Sequence, residues 1–168
     1  MTARSAVFSA IGSEADLSLA AMEEIAKMLR SMLGDVFSLY VKTKNFHWHI
    51  TGRNFRDYYL LLDKQAEQIF AMADDIAERA RRIGGSTLRS IGHIARRQRL
   101  KDSDEERLGP RNMLLELRDD NSRLARFLRA AHEICGRHND VATTSLIETW
   151  IDQTERRTWF LTEIVSEF

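Results

Sequence analysis

One proline, Pro110, stands in 168 residues, and strand signals are sparse. A chain with so few breakers can carry long helices, and the spacing of its apolar residues decides where they run. Between about Asp16 and Thr43 the apolar residues Met22, Ile25, Leu29, Met32, Val36 and Tyr40 recur in steps of three and four, one stripe along a helix. The turn "TGRN" ends that run, with Gly52 permitting the bend and Asn54 in position to cap the next helix. Phe55, Tyr59, Leu62, Ala66, Ile69, Ala73, Ile76, Ala80 and Ile83 form a second stripe, stopped by Gly84-Gly85. The segment "STLRSIGHIARRQR" reads as a short helix capped by Ser86, and "KDSDEERLG" as a polar loop. Pro110 opens a third long helix with Leu114, Leu117, Asn121, Leu124, Leu128, Ala131 and Cys135 on one side. After "GRHND" a fourth runs from about Ala142 to Val165, with Ile147, Ile151, Thr154, Leu161 and Val165 inward.

Four such helices with three connections predict an all-α four-helix bundle with a short helix in the second-to-third connection. The length fits one domain, 1–168, with a short N-terminal extension at about 1–15. Lys+Arg and Asp+Glu number 25 each, so the net charge is zero and a broad electrostatic footprint for nucleic acid is not expected. Apolar runs stay short of the ~18–20 residues that cross a bilayer. The N-terminus, with Arg4 followed by Glu14 and Asp16, makes a poor leader, and the lone Cys135 can form no internal disulfide. Both features point to the cytoplasm.

Two chemical features stand out. His47 lies at the end of the first apolar run, in "FHWHITG". The second helix carries the acidic stripe Asp63, Glu67, Asp74 and Glu78, in which Asp74 and Glu78 are one turn apart and project from one face. Such a pair is either a solvated acidic face or a cation site. If the first two helices form a hairpin, His47 neighbours position 59, and Asp74 lies fifteen residues further on, about 22 Å at 1.5 Å per residue. His47 and the Asp74–Glu78 pair therefore cannot share an ion within one subunit. A metal site built from them requires a second copy packed about a two-fold axis.

The stretch "FHWHITGRNFRDYYLLLDKQAEQIFAMADDIAERARRIGG", with "STLRSIGHIARRQRL" and "ERRTWFL", resembles the Dps (DNA protection during starvation) family of small ferritin relatives. The resemblance spans nearly the whole chain from the first helix onward. It implies a ferritin-like bundle, a homo-oligomeric dodecamer built from two-fold dimers, and oxidation of iron(II) by hydrogen peroxide or dioxygen at the dimer interface, with storage of ferric mineral. It further implies that two histidines of one subunit and an Asp/Glu pair of the other hold the iron. Carried over residue by residue, His47 is the first histidine and Asp74 and Glu78 are the acidic pair.

The chain departs from that pattern where the second histidine is expected, twelve residues after the first, because Tyr59 stands there. A neutral imidazole binds iron(II) readily, whereas a phenol, with an ordinary pKa of about 10, must first lose a proton. Tyr59 is read either as a ligand or hydrogen-bonding group, or as a packed side chain. The alternative function is then a shell subunit impaired in oxidation and acting in storage, assembly or DNA shielding. Trp48 adjoins the site and either passes oxidising equivalents or fills the dimer seam. Glu148, Asp152 and Glu155 share a face of the fourth helix. The resemblance makes them candidates for an iron-entry pore, and ion pairing with neighbouring arginines is the other reading. His49 is expected to close a helix end, and His93, His132 and His138 to be surface or cap residues. The tails, "MTARSAVFSAIGSEAD" and "TEIVSEF", carry few cations, so DNA binding is expected to be weak; the basic run Arg96, Arg97, Arg99 and Lys101 is either a surface contact for it or, as expected by default, a solvated face.

Overall fold

The computed structural model describes residues 16–166; the N-terminal extension at about 1–15 lies outside them. Within that range the chain forms α1 (Leu19–His49), α2 (Phe55–Arg82), α3 (Ile91–Ala95), α4 (Pro110–Arg137) and α5 (Val141–Val165). The four long helices make the expected bundle, and α3 is its short helix. Two antiparallel hairpins, α1 with α2 and α4 with α5, pack mainly through α1 on α4, and α3 lies against α1. Their apolar stripes meet in one core that includes Ile25, Leu29, Met32, Leu62, Ile69, Leu114, Leu124 and Ile147. Among the described residues no helix is long and apolar enough to cross a membrane.

The ends of the helices follow local chemistry. Ser18 caps α1, its Oγ accepting from the Ala21 amide at 3.2 Å. This helix ends at His49, the expected helix end, and Phe46 and His47 carry the buried stripe beyond Thr43. Asn54 sits at the start of α2 but makes no side-chain cap; its Nδ2 donates to the Tyr58 hydroxyl at 3.1 Å instead. At the other end the Gly84 amide donates to the Arg81 carbonyl (2.9 Å) and the Gly85 amide to the Ala80 carbonyl (2.8 Å). That paired closure needs a left-handed residue, and Gly84 supplies it at φ 86°. The cap of α3 differs from expectation. Ser90, not Ser86, accepts from the His93 amide at 3.1 Å, and the helix is shorter than the segment suggested. Ser86 is diverted to Arg30, whose Nη1 donates to its carbonyl at 3.1 Å and its hydroxyl at 3.3 Å.

Buried polar groups fix the long connection to the bundle. Asp35 has no exposed surface. Its carboxylate accepts from the amides of Arg99 and Leu100 and pairs with the Arg99 guanidinium at 2.6 Å. One residue earlier, a Cβ on Gly34 would stand 2.9 Å from the Gln98 nitrogen and 3.0 Å from the Arg97 carbonyl carbon, so only glycine lets the connection lie directly on α1. Further along, the Asn45 side chain donates to the Ser103 carbonyl at 3.1 Å. Lys42 crosses to α4 and donates to Asp120 at 2.7 Å in the interior. On α5 the inward set includes Trp150 and Arg157, which the apolar pattern did not mark, while Ile151 is only half-buried.

Candidate metal centre

The hairpin places His47, the last buried side chain of α1, against the first turns of α2. Its Nδ1 lies 2.9 Å from the carbonyl oxygen of Tyr59. A carbonyl only accepts, so Nδ1 carries the proton, and in the neutral ring Nε2 keeps the lone pair that binds a cation. Nε2 is 3.7 Å from Asp63 Oδ1, too far for a hydrogen bond. Two bonds of ~2.1 Å, the length a first-row ion such as zinc makes to nitrogen and carboxylate oxygen, span such a gap. The Tyr59 ring stacks on the imidazole, with centroids 3.9 Å apart and planes at 30°. Phe55 continues the stack at 5.4 Å.

A lysine already occupies this carboxylate. Lys44 Nζ donates to the same Asp63 oxygen at 2.7 Å. That hydrogen bond raises the Lys44 pKa and holds the Asp63 carboxyl below its ordinary value. Sequence spacing alone does not single out Asp63 or Lys44 as neighbours of His47. A signal is nonetheless there: Asp63 is one turn beyond Tyr59, and Lys44 is three residues before His47 on α1.

The acidic pair lies elsewhere. Asp74 and Glu78 are exposed near the far end of α2, and Glu78 faces Arg82 at 3.7 Å. Asp74 borders an apolar groove of about 480 Å³ lined by Leu33, Phe37, Phe70, Leu88 and Ile94. Phe70, half exposed, packs there on Tyr40 and Phe37 with centroids at 5.0 and 6.5 Å. His47 and Tyr59 therefore come together, and Asp74 and Glu78 do not join them within one chain. Among the described residues no three His, Cys, Asp or Glu side chains gather to hold an ion.

The remaining candidates are distributed. Trp48 is 63% exposed, with Lys44 Nζ 5.9 Å from its ring centre. His49 closes the helix end, its Nδ1 donating to the Asn45 carbonyl at 2.8 Å. Of the acidic face of α5, Glu148 contacts His132 at 2.8 Å and Glu155 pairs with Arg129, whereas Asp152 has no ion-pair partner among the described residues. His132 and His138 both face carboxylates brought by another helix; Glu24 lies 2.6 Å from His138. Within the expected basic surface, Arg99 is taken up by Asp35 and by the Phe127 ring 3.9 Å away.

A sequence profile of the ferritin family, described as the ferritin-like domain, matches residues 26–168. The chain is similar to the DNA protection during starvation protein 1 of Deinococcus radiodurans, with 30% identity over 145 residues, 86% of this chain and 70% of that protein. Among solved structures, DpsC from Streptomyces coelicolor superposes with a TM-score of 0.89 at 22% identity, covering 92% of this chain and 91% of that one. Dps from Thermosynechococcus elongatus gives a TM-score of 0.84 at 23% identity, covering 87% and 92%. At these identities the likeness to the solved structures is one of fold.

Proposed function

Because the chain belongs to the ferritin-like Dps family, we propose that it is a single-domain cytoplasmic shell subunit that takes iron(II) as substrate, oxidises it at dimer-interface sites and stores the ferric product. Hydrogen peroxide is the preferred oxidant and dioxygen the slower one. Two iron(II) ions each give up one electron; the peroxide O–O bond accepts the pair and, with two protons, becomes two waters. The observation that carries this reading is the split between the two ends of the hairpin. His47 offers a lone pair on Nε2 at one end, and Asp74 and Glu78 offer carboxylates at the other, beside an open apolar groove. A two-fold partner laid antiparallel on that groove brings each end to its complement.

In that arrangement His47 orients the ion, and Asp63, 3.7 Å from Nε2, lies within reach of it. Asp74 and Glu78 offset the charge gained as iron(II) becomes iron(III). Iron enters along the acidic face of α5, led by Asp152, with Glu148 and Glu155 exchanging their His132 and Arg129 contacts for the ion. DNA is a weak partner. The competing reading, a subunit impaired in oxidation, draws on two contacts: the Tyr59 ring covering His47 and Lys44 holding Asp63.

Subunit mixing tests the proposal. His47→Ala and Asp74→Ala/Glu78→Ala shells should each lose most peroxide-driven iron(II) oxidation. Dissociated and reassembled together, half of their dimers are mixed and each carries one intact site, so about a quarter of the wild-type rate should return. No recovery on mixing, with shells fully reassembled, would count against a site shared between subunits.

A further inference from the structure

Between α2 and α5 lies a half-open cleft of about 110 Å³, against ~30 Å³ for one water's share of the liquid. Its walls include the cations Lys64, Arg156 and Arg157 and the amides Gln65 and Gln68, and no carboxylate. Among the described residues none of the three cations forms an ion pair. Arg157 is 2% exposed. Its Nε donates to Asn121 Oδ1 at 2.9 Å and its Nη2 to Thr154 Oγ1 at 2.8 Å, but its Nη1 has no partner. Gln65, 3% exposed, leaves its Oε1 equally alone. Burial lowers the Arg157 pKa to about 10, which still leaves it charged near neutral pH.

A buried guanidinium without a counter-ion, two further cations without ion pairs at the same walls and an unused acceptor call for one kind of guest. It must be small and anionic, must accept several N–H bonds, and must keep one O–H to give. We infer that this cleft is a binding site for a free phosphate-class oxyanion, held by Lys64, Arg156 and Arg157 and read by Gln65. Guanidinium forks match the oxygen spacing of phosphate, and charge-assisted bonds of this type are the strong ones. Hydrogenphosphate keeps a proton near neutral pH and can donate to Gln65 Oε1; sulfate has none. The site goes beyond the proposed iron chemistry and shares no residue with it.

The test is calorimetric titration of the assembled, metal-free, full-length protein with inorganic phosphate in chloride buffer. One phosphate should bind saturably per subunit, and sulfate should bind more weakly. Lys64 and Arg156 are exposed, so Lys64→Ala/Arg156→Ala should fold normally yet bind phosphate at least roughly tenfold more weakly. Lys27→Ala/Arg111→Ala, which removes two exposed cations elsewhere, should bind like wild type. Gln65→Met should bring phosphate and sulfate closer together. A phosphate monoester should bind less well than free phosphate, since esterification leaves one fewer free oxygen for Lys64, Arg156 and Arg157 to share. Absence of saturable phosphate binding, an unchanged affinity in Lys64→Ala/Arg156→Ala, or equal loss in the Lys27/Arg111 control would each overturn the assignment.

Discussion

Tyr59 meets His47 twice, through its carbonyl and through its ring. The carbonyl fixes which imidazole nitrogen is free, and any residue at 59 supplies it. The ring sits over the imidazole at 3.9 Å, tilted by 30°, a packing contact that needs no hydroxyl. Tyr59→Phe should therefore leave the initial rate of iron oxidation unchanged within about twofold and preserve the stack. Tyr59→His should raise that rate, because it adds a second imidazole. A stopped-flow comparison of the three proteins decides, and a strong loss in Tyr59→Phe would mean that the phenol oxygen takes part. Lys44 poses the opposite case. Its ammonium shares Asp63 with any incoming cation, so Lys44→Met should tighten iron(II) binding in an anaerobic titration. The same change should lower thermal stability slightly near pH 7. The Asp63 carboxyl is held low by Lys44, so the pair's contribution is present above the ordinary carboxylate pKa of about 4 and is lost as the pH falls through the lower folded value. The stability difference should shrink below about pH 4 and vanish further down, as melting curves across that range would show.

At the scale of helices, Asp140 ties α5 to α2. It caps α5 by accepting from the Thr143 amide at 3.1 Å and from the Thr143 hydroxyl, and it pairs with Arg79 of α2 at 2.6 Å. Asp140→Ala removes the cap and takes the charge partner from a mostly buried guanidinium, which keeps its bond to Thr143 Oγ1. It should destabilise the subunit by about 3 kcal/mol in chemical unfolding, more than a cap alone. The contact with Thr143 is local, three residues on, but Arg79 could not be inferred from spacing, since Arg79 and Asp140 are 61 residues apart. The helices themselves were legible, because the three-four rhythm, Pro110 and the Gly84-Gly85 stop act locally. The burial of Phe46 and His47 at the end of α1 was not, because it depends on packing against other helices rather than on propensity. The cap of α3 misled because Ser86 and Ser90 are equally good caps in sequence, and only Arg30 chooses between them. Arg157 was hidden for a similar reason. An arginine on an apolar stripe looks like an interruption until Asn121 and Thr154 supply its hydrogen bonds.

For the whole molecule, the split between His47 and the Asp74–Glu78 pair came from hairpin arithmetic, and the hairpin is present. What covers the groove beside Asp74 could not be read from one chain's spacing, because a partner subunit of the kind proposed leaves no mark on periodicity. The half-exposed Phe70, stacked on Tyr40 and Phe37, makes the groove a place to intervene. Light scattering should give about 230 kDa for wild type, a dodecamer of the 19.4 kDa chain. Phe70→Asp should break that mass down while leaving the helical circular dichroism intact, and iron oxidation should fall with it. A Phe70→Asp protein that stays assembled and active would remove the groove from the interface.

The seating of the long connection on α1 has a consequence for engineering. Gly34 admits the backbone of Arg97 and Gln98, Asp35 grips the next two amides, and Asn45 holds Ser103, so the chain is anchored as far as that serine. Beyond it, Asp104 to Arg107 are all exposed, and Pro110 restarts the bundle. Length is therefore rationed unevenly along one connection. A foreign epitope spliced between Glu105 and Glu106 would find slack to absorb it, whereas a single residue added between Arg97 and Arg99 would pull the arginine off Asp35 and leave a carboxylate sealed in the core with nothing to hold.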